Sequence, residues 1–156
     1  MRQIKFRGKN SKDEWVYGSL IINETENEKG KFQVAFIVPG LPCASDGDDF
    51  YTARMERVKI ETIGQYTGLH DNKGNEIYEG DIFTVNGKYP KLVKYIDEWH
   101  SFCVANLDTI TDPWTARWND VCKYQQPAPN WWRDFQCEIK IIGNRYDNPE
   151  LIKLRD

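Results

Sequence analysis

The chain has 156 residues, with 21 Lys and Arg against 24 Asp and Glu, and a formal net charge of −3. This acidic balance argues against a protein whose whole surface binds nucleic acid. No stretch approaches the ~20 apolar residues of a membrane-spanning helix, and the N-terminus has no apolar signal core. We therefore expect a cytoplasmic protein, without membrane attachment, that buries a core of its own.

Alternation of apolar and polar residues predicts strands in the N-terminal third of the chain. Ile4 and Phe6 are expected to point inward from a half-buried first strand. A second strand is predicted over residues 15–22, and a third, over residues 32–38, is expected to pair back on it. The acidic residues 23–29 between these two strands are interpreted as a solvated hairpin loop.

Turn-forming residues dominate the run GQYTGLHDNKGNEIYEGDI, residues 64–82. Asp, Asn and Gly within residues 71–75 predict a reverse turn with Gly74 at positive φ. The strand that follows this run is predicted to end at Asn86-Gly87, the strongest short hairpin signal. Its return strand is predicted over residues 92–96.

Further strands are predicted over residues 54–60, 102–104 and 137–142, whereas helix signals are few. An Asp or Asn followed by Pro marks a helix start at Asp112-Pro113 and at Asn148-Pro149, and both helices would be short. The pattern predicts an all-β, or β-dominated, fold.

The expected architecture is a small SH3-like barrel formed by the strands from Ile82 onward, with the N-terminal β-hairpin as a lobe or extension. We expect a single domain over residues 1–156, with lobes over residues 1–60 and 61–156.

The four cysteines, Cys43, Cys103, Cys122 and Cys137, are scattered and form no paired motif. Free thiols are the default in a cytosolic protein, so we expect no disulfide framework. A zinc site needs four converging N or S ligands, usually as close pairs on both sides, and the chain offers one pair, His100 with Cys103. We expect no metal site and no cofactor.

Catalytic signals are equally sparse. Asp46, Asp48 and Asp49 lie in one loop, but their spacing does not provide the ligands of a calcium loop. The chain has neither a nucleophile elbow nor a glycine-rich phosphate loop. We therefore predict no catalytic residues and a protein that is not an enzyme.

Three blocks of the sequence resemble the YopX-like family of phage and prophage proteins. They are MRQIKFRG at residues 1–8, the run at residues 64–82, and IIGNRYDNPEL at residues 141–151. They occur in the family's order and span nearly the whole chain. The resemblance implies a small β protein of phage or prophage origin in a bacterial host cell. It implies no assigned activity and supplies no catalytic residues.

Basic residues cluster at the N-terminal end, where Lys5, Arg7 and Lys9 precede the first acidic residue, Asp13. Lys5 and Arg7 are expected to share one face of their strand, from which they could contact a phosphate backbone. Lys and Arg on an edge strand also oppose aggregation, and we favour that explanation.

Tryptophan is concentrated in one segment, at Trp114, Trp118, Trp131 and Trp132. These side chains could anchor a partner protein, because Trp is enriched among interface hot spots. They could instead bury in the core or in a homo-oligomer, which we favour, or stack single-stranded bases, which we place last.

Together these features predict a non-enzymatic interaction module that binds an unidentified phage or host protein, with self-assembly included. The alternative is a nucleic-acid-binding accessory factor that uses the basic N-terminal strand. Its binding to duplex DNA is expected to be weak, at or below the non-specific level of ~10⁻⁴ to 10⁻⁶ M.

Overall fold

The structure, a computed structural model, describes residues 3–39, 54–97, 100–107, 124–125 and 138–152. These ranges contain antiparallel strands, short 3-10 turns at Ile60–Thr62 and Pro149–Ile152, and no α-helix. None of the helical segments described has the length and apolar character needed to cross a membrane. The strands are β1 (Phe6–Lys9), β2 (Trp15–Asn27), β3 (Gly30–Val38), β4 (Glu56–Val58), β5 (Gly64–His70), β6 (Glu76–Tyr78), β7 (Asp81–Val85), β8 (Lys88–Ile96), β9 (Ser101–Asn106), β10 (Tyr124–Gln125) and β11 (Ile139–Asn144).

The chain divides into two compact units, Met1–Tyr66 and Thr67–Asp156. The division falls within β5, whereas the sequence suggested a boundary at residue 60. The first residues of β5 pair with β1, and β6 is its other neighbour. The eleven strands and the absence of an α-helix in the described residues confirm the predicted all-β fold.

The first unit is a curled antiparallel sheet with the strand order β4-β3-β2-β1-β5. Its longest strand, β2, changes neighbour along its length. Residues 15–18 pair with β1, and residues 19–27 pair with β3. The change occurs at Gly18, where a Cβ atom would clash with the Val38 carbonyl oxygen. Glycine is required because the backbone of β3 passes directly over this position.

One face of the first-unit sheet, which we call the core face, buries an apolar cluster. The curl brings Gly8 of β1 against Val58 and Ile37, and a Cβ atom on Gly8 would stand 3.0 Å from Val58. The Lys59 N–H donates a 2.8 Å hydrogen bond to the Lys9 carbonyl and ties the end of β4 to β1. The buried cluster consists of Val16, Ala35, Ile37 and Val58, with Leu20 and Ile63 packed against it.

The second unit contains a sheet of order β10-β9-β8-β7-β11 that buries apolar side chains on both faces. Adjacent strand residues point to opposite faces, so Ile82 and Phe83 of β7 enter different clusters. The predicted barrel does not close, because β10 and β11 are the edges of this sheet in the described part of the chain. Closure is not needed to bury the apolar residues, because other side chains pack on both faces. Leu151 and Ile152 pack against the first cluster and Leu69 against the second. The first cluster is Ile82, Leu92, Ile96, Cys103 and Ala105, and the second is Ile77, Phe83, Val93, Val104 and Ile139.

Both turns predicted in the central part of the chain are confirmed. Asn86 and Gly87 have φ values of 52° and 68° and join β7 to β8. Two positive φ values are the requirement of a type I′ turn. Gly74 has a φ of 84° between β5 and β6, and its Cβ position faces open space. Backbone conformation alone therefore favours glycine at position 74.

Asn144 and Asn148 shape the chain between β11 and the last 3-10 turn. The Asn144 side chain accepts 2.9 Å hydrogen bonds from the N–H groups two and three residues further on. The Asn148 N–H donates to the Asn144 carbonyl at 2.9 Å, and Leu151 then packs against the Ile82 cluster. The helix predicted to begin at Asn148-Pro149 is thus a single 3-10 turn. The one predicted at Asp112-Pro113 lies outside the described residues.

Two expectations for the N-terminal strands are wrong. Ile4 is 65% exposed and Arg7 only 5% exposed, so burial does not follow the predicted alternation. Arg7 is covered because its guanidinium stacks on the ring of Trp15. Residues 23–29 are mostly strand rather than loop, because β2 and β3 stay paired almost to the tip of their hairpin.

Candidate functional site

The face of the first-unit sheet opposite the core face carries basic and apolar side chains. Residues alternate across a strand, and directly opposed residues of paired strands share a face. The opposed pairs Arg7 with Tyr17 and Ile21 with Phe36 therefore lie on the same side. We call this side the basic–apolar face. Its basic and apolar members are Arg7, Lys9, Trp15, Tyr17, Ile21, Phe32, Val34, Phe36, Val38 and Arg57, and the uncharged polar residues Ser19, Asn23 and Thr25 share the face.

The three basic residues identified at the N-terminus come together on this face, above aromatic rings. The Arg7 guanidinium lies 4.6 Å from the Trp15 ring centroid, and the Lys9 ammonium lies 5.3 Å from the same centroid. The Lys5 ammonium lies 5.8 Å from the centroid of Tyr17. Cations within about 6 Å of a ring face are attracted to it. This geometry makes Arg7 a buried stacking partner of Trp15 rather than an open phosphate ligand.

Charge differs between the two faces of the sheet. The strand positions of the basic–apolar face hold Arg7, Lys9 and Arg57 and, within the described part of the chain, no Asp or Glu. The opposite face holds carboxylates such as Glu24 and Glu56. The basic–apolar face is therefore locally positive although the chain as a whole is acidic.

Apolar side chains on this face are open to solvent. Tyr17 is 42% exposed, Ile21 40% and Phe32 39%. Clustered exposed apolar residues with polar neighbours mark interaction surfaces more often than catalytic sites. The face is therefore suited to binding.

A cleft of about 560 Å³ beside β4 is a second candidate, lined largely by residues 54–61. Its lining carries charges of both signs, and some of them form ion pairs. Arg54 lies 3.5 Å from Glu56, and Lys59 lies 2.6 Å from Asp13 in the neighbouring turn. Because its charges are mixed, the cleft indicates no particular class of ligand.

The described residues contain no cluster of three or more His, Cys, Asp or Glu side chains that could hold a metal. Cys103 is buried, and burial raises the pKa of its thiol, which disfavours the reactive thiolate. His100 is exposed. The other candidate ligands, Cys122, Cys137 and the acidic residues 46–49, lie outside the described residues.

Sequence reasoning missed the apolar half of the basic–apolar face. The available signal was the adjacent pair Ile21 and Ile22, because neighbouring apolar residues in a strand cannot both enter a core that covers one side. The tryptophans proposed instead lie outside the described residues: Trp114, Trp118, Trp131 and Trp132.

Comparison with known proteins places the chain in a family. No curated protein matches it significantly. The crystal structure of protein EF1440 from Enterococcus faecalis is similar over 98% of this chain and 100% of that chain, with a TM-score of 0.52 and 19% sequence identity. At that identity the likeness concerns the fold alone. A model of the YopX protein family matches residues 5–153. The chain therefore belongs to the YopX family.

Proposed function

We propose that the chain is a non-enzymatic binding module whose basic–apolar face binds a partner protein. The observation that carries this proposal is the exposure of Tyr17, Ile21 and Phe32 on a face whose strand positions hold only positive charges. A partner surface with apolar side chains and carboxylates would complement both features. The resemblance of the three sequence blocks leads us to place this module in the cytoplasm of a bacterial host, with a phage or prophage origin.

The geometry gives less support to nucleic acid as the partner. Bases stack on open aromatic ring faces, whereas cations lie over the rings of Trp15 and Tyr17. The other exposed apolar side chains of the face are Ile21, which is aliphatic, and Phe32, which is one ring and not a run of stacking positions. We therefore keep weak, non-specific nucleic-acid binding as the alternative.

Charge also disfavours self-assembly through this face. A two-fold dimer would place the same patch of both copies together. Arg7, Lys9 and Arg57 of one copy would then approach those of the other, and like charges across an interface cost affinity. An acidic chain of a different kind is the better match.

Two adjacent isoleucines provide a matched test. Ile21 is 40% exposed on the basic–apolar face, and Ile22 is 49% exposed on the opposite face. We would capture partners from an extract of the natural host with the wild type, Ile21→Ser and Ile22→Ser. We expect Ile21→Ser to lose the specific protein and Ile22→Ser to retain it.

Denaturant melts of the two serine variants serve as the control that both are folded and equally stable. Equal recovery by both variants would show that the basic–apolar face is not the binding surface. Recovery of nuclease-sensitive nucleic acid in place of a protein would favour the alternative function.

A further inference from the structure

In the described part of the chain, the outer edge of β2 has no paired strand beyond the end of β1. Within the described residues, positions 19–27 of β2 pair with β3 on one side and with no strand on the other. The described residues that precede β1 are not paired with β2, because the β1–β2 register begins at Phe6, opposite Gly18. The Lys5 carbonyl accepts a 2.8 Å hydrogen bond from the Tyr66 N–H on the other side, next to β5.

This edge lacks most of the usual protection against strand pairing. Natural edge strands are short, or carry Lys, Pro or a bulge. Residues 19–27 read SLIINETEN, with no Lys, Arg or Pro, and the first part has no charge. The exposed side chains of Ile21 and Ile22 lie in that uncharged part. Such an edge is a template for adding a strand from another chain.

The charge near the edge indicates which kind of strand fits. A strand added beside residues 19–27 would lie in line with β1, and its end next to Gly18 would approach Lys5. Its other end would approach Glu26 and Glu24, and Glu24 already pairs with Lys31 at 3.3 Å. The charge near the edge therefore favours carboxylates at the end next to Lys5.

We infer that the partner binds by strand addition, pairing an extended segment antiparallel to β2 with carboxylates at the segment's C-terminal end. This inference rests on the proposed function, and it names the binding mode and the partner's chemistry. A second copy of the chain would bring Glu24 and Glu26 to the same end, so a second copy is the competing occupant that the test must exclude.

The probe is a synthetic peptide as long as the open edge, of alternating Thr and Val, with two Asp at its C-terminus. We expect it to slow amide hydrogen exchange within residues 19–27. Methylating backbone nitrogens at one alternate set of peptide positions should abolish binding, while methylating the other set should be tolerated. This difference arises because only one set of N–H groups faces β2.

Charge swaps test the direction of the added strand. Replacing the two Asp by Lys should weaken binding about tenfold. In the protein, Lys5→Glu should reverse that preference, whereas the exposed control Lys12→Glu should leave it unchanged. A peptide that binds equally in both methylated forms, protects β3 instead of β2, or fails to bind would overturn strand addition.

The two proposals can fail separately. If strand addition fails while Ile21→Ser still loses the captured protein, the basic–apolar face binds by side chains alone. A dimer of the chain with protected β2 amides in the absence of peptide would overturn the inference in favour of a second copy.

Discussion

Asn72 and Ile139 exchange two hydrogen bonds although 67 positions separate them in the sequence. The Asn72 N–H donates to the Ile139 carbonyl at 3.0 Å, and the Ile139 N–H donates to Asn72 Oδ1 at 2.6 Å. Asn86 makes the same exchange with Glu138, with both bonds at 2.7 Å. Two asparagines from separate turns therefore hold the start of β11.

We expect Asn72→Ala to destabilise the protein by about 1–3 kcal/mol, because it leaves the Ile139 N–H without its side-chain acceptor. Urea denaturation measures the change. The exposed neighbour Lys73 is the control, and Lys73→Gln should stay within about 0.5 kcal/mol of the wild type. Equal midpoints for the two variants would contradict a structural role for Asn72.

Asp71 should stabilise the fold near neutral pH and lose this contribution in acid. Burial raises the pKa of Asp71, but hydrogen bonds from Asn75, Lys73 and Ile141 together lower it below the ordinary 3.8. Two of these are 2.9 Å bonds from backbone N–H groups to Oδ1. A lowered folded-state pKa stabilises the fold above the unfolded-state pKa, and this gain is lost as the pH falls through the folded-state value.

The variant Asp71→Asn tests this dependence. Its deficit in unfolding free energy should be largest near neutral pH and should shrink as the pH falls below about 3.8. Denaturant melts of both proteins across this range measure the deficit. A deficit that is independent of pH would mean that shape rather than charge makes Asp71 necessary.

Ionised Glu79 should destabilise the fold at neutral pH, whereas ionised Asp71 stabilises it. Burial raises the pKa of Glu79 above the ordinary 4.5, although the Tyr95 N–H, Lys94 and Arg145 partly offset this. Its stabilising contribution is complete below the unfolded-state pKa and is lost as the pH rises through the folded-state value. Glu79→Gln keeps an acceptor for the Tyr95 N–H. We expect it to be more stable than the wild type at neutral pH, with the advantage disappearing below about pH 4.5.

Gly74 isolates the effect of backbone conformation, because no atom lies within 4 Å of its Cβ position. Gly74→Val should cost about 1–3 kcal/mol, since a β-branched residue is strained at positive φ. Gly74→Asn should cost clearly less, because Asn tolerates this region. Urea midpoints compare the two, and equal losses would show that side-chain size matters more than φ.

The variant Gly18→Ala tests the close approach of the β3 backbone to β2. An added Cβ would meet the Val38 carbonyl oxygen, a backbone atom that cannot rotate away. We expect Gly18→Ala to cost about 3 kcal/mol or more, at the upper end for overpacking. The neighbouring exposed position is the control, and Ser19→Ala should be nearly neutral. A mild effect of Gly18→Ala would mean that the two strands can separate at this point.

The sequence by itself determined the local features of this protein. The Asn86-Gly87 and Gly74 turns were predictable because positive φ is a property of single residues, independent of distant contacts. The all-β class followed from strand periodicity. The placement of Lys5 and Arg7 on one face also followed, because side chains alternate along a strand.

Only the tertiary structure decided which side chains on that strand are covered and where the sheets end. Arg7 is buried because its guanidinium stacks on the ring of Trp15, on a neighbouring strand, whereas the described residues leave Ile4 65% exposed. The adjacent residues Ile21 and Ile22 indicated that an apolar side chain lies outside the core, but which face is the outer one depends on the side of the sheet against which the rest of the unit packs. Contacts such as Asn72 with Ile139 join distant segments. Their formation depends on the packing of whole strands, which local sequence preferences do not encode.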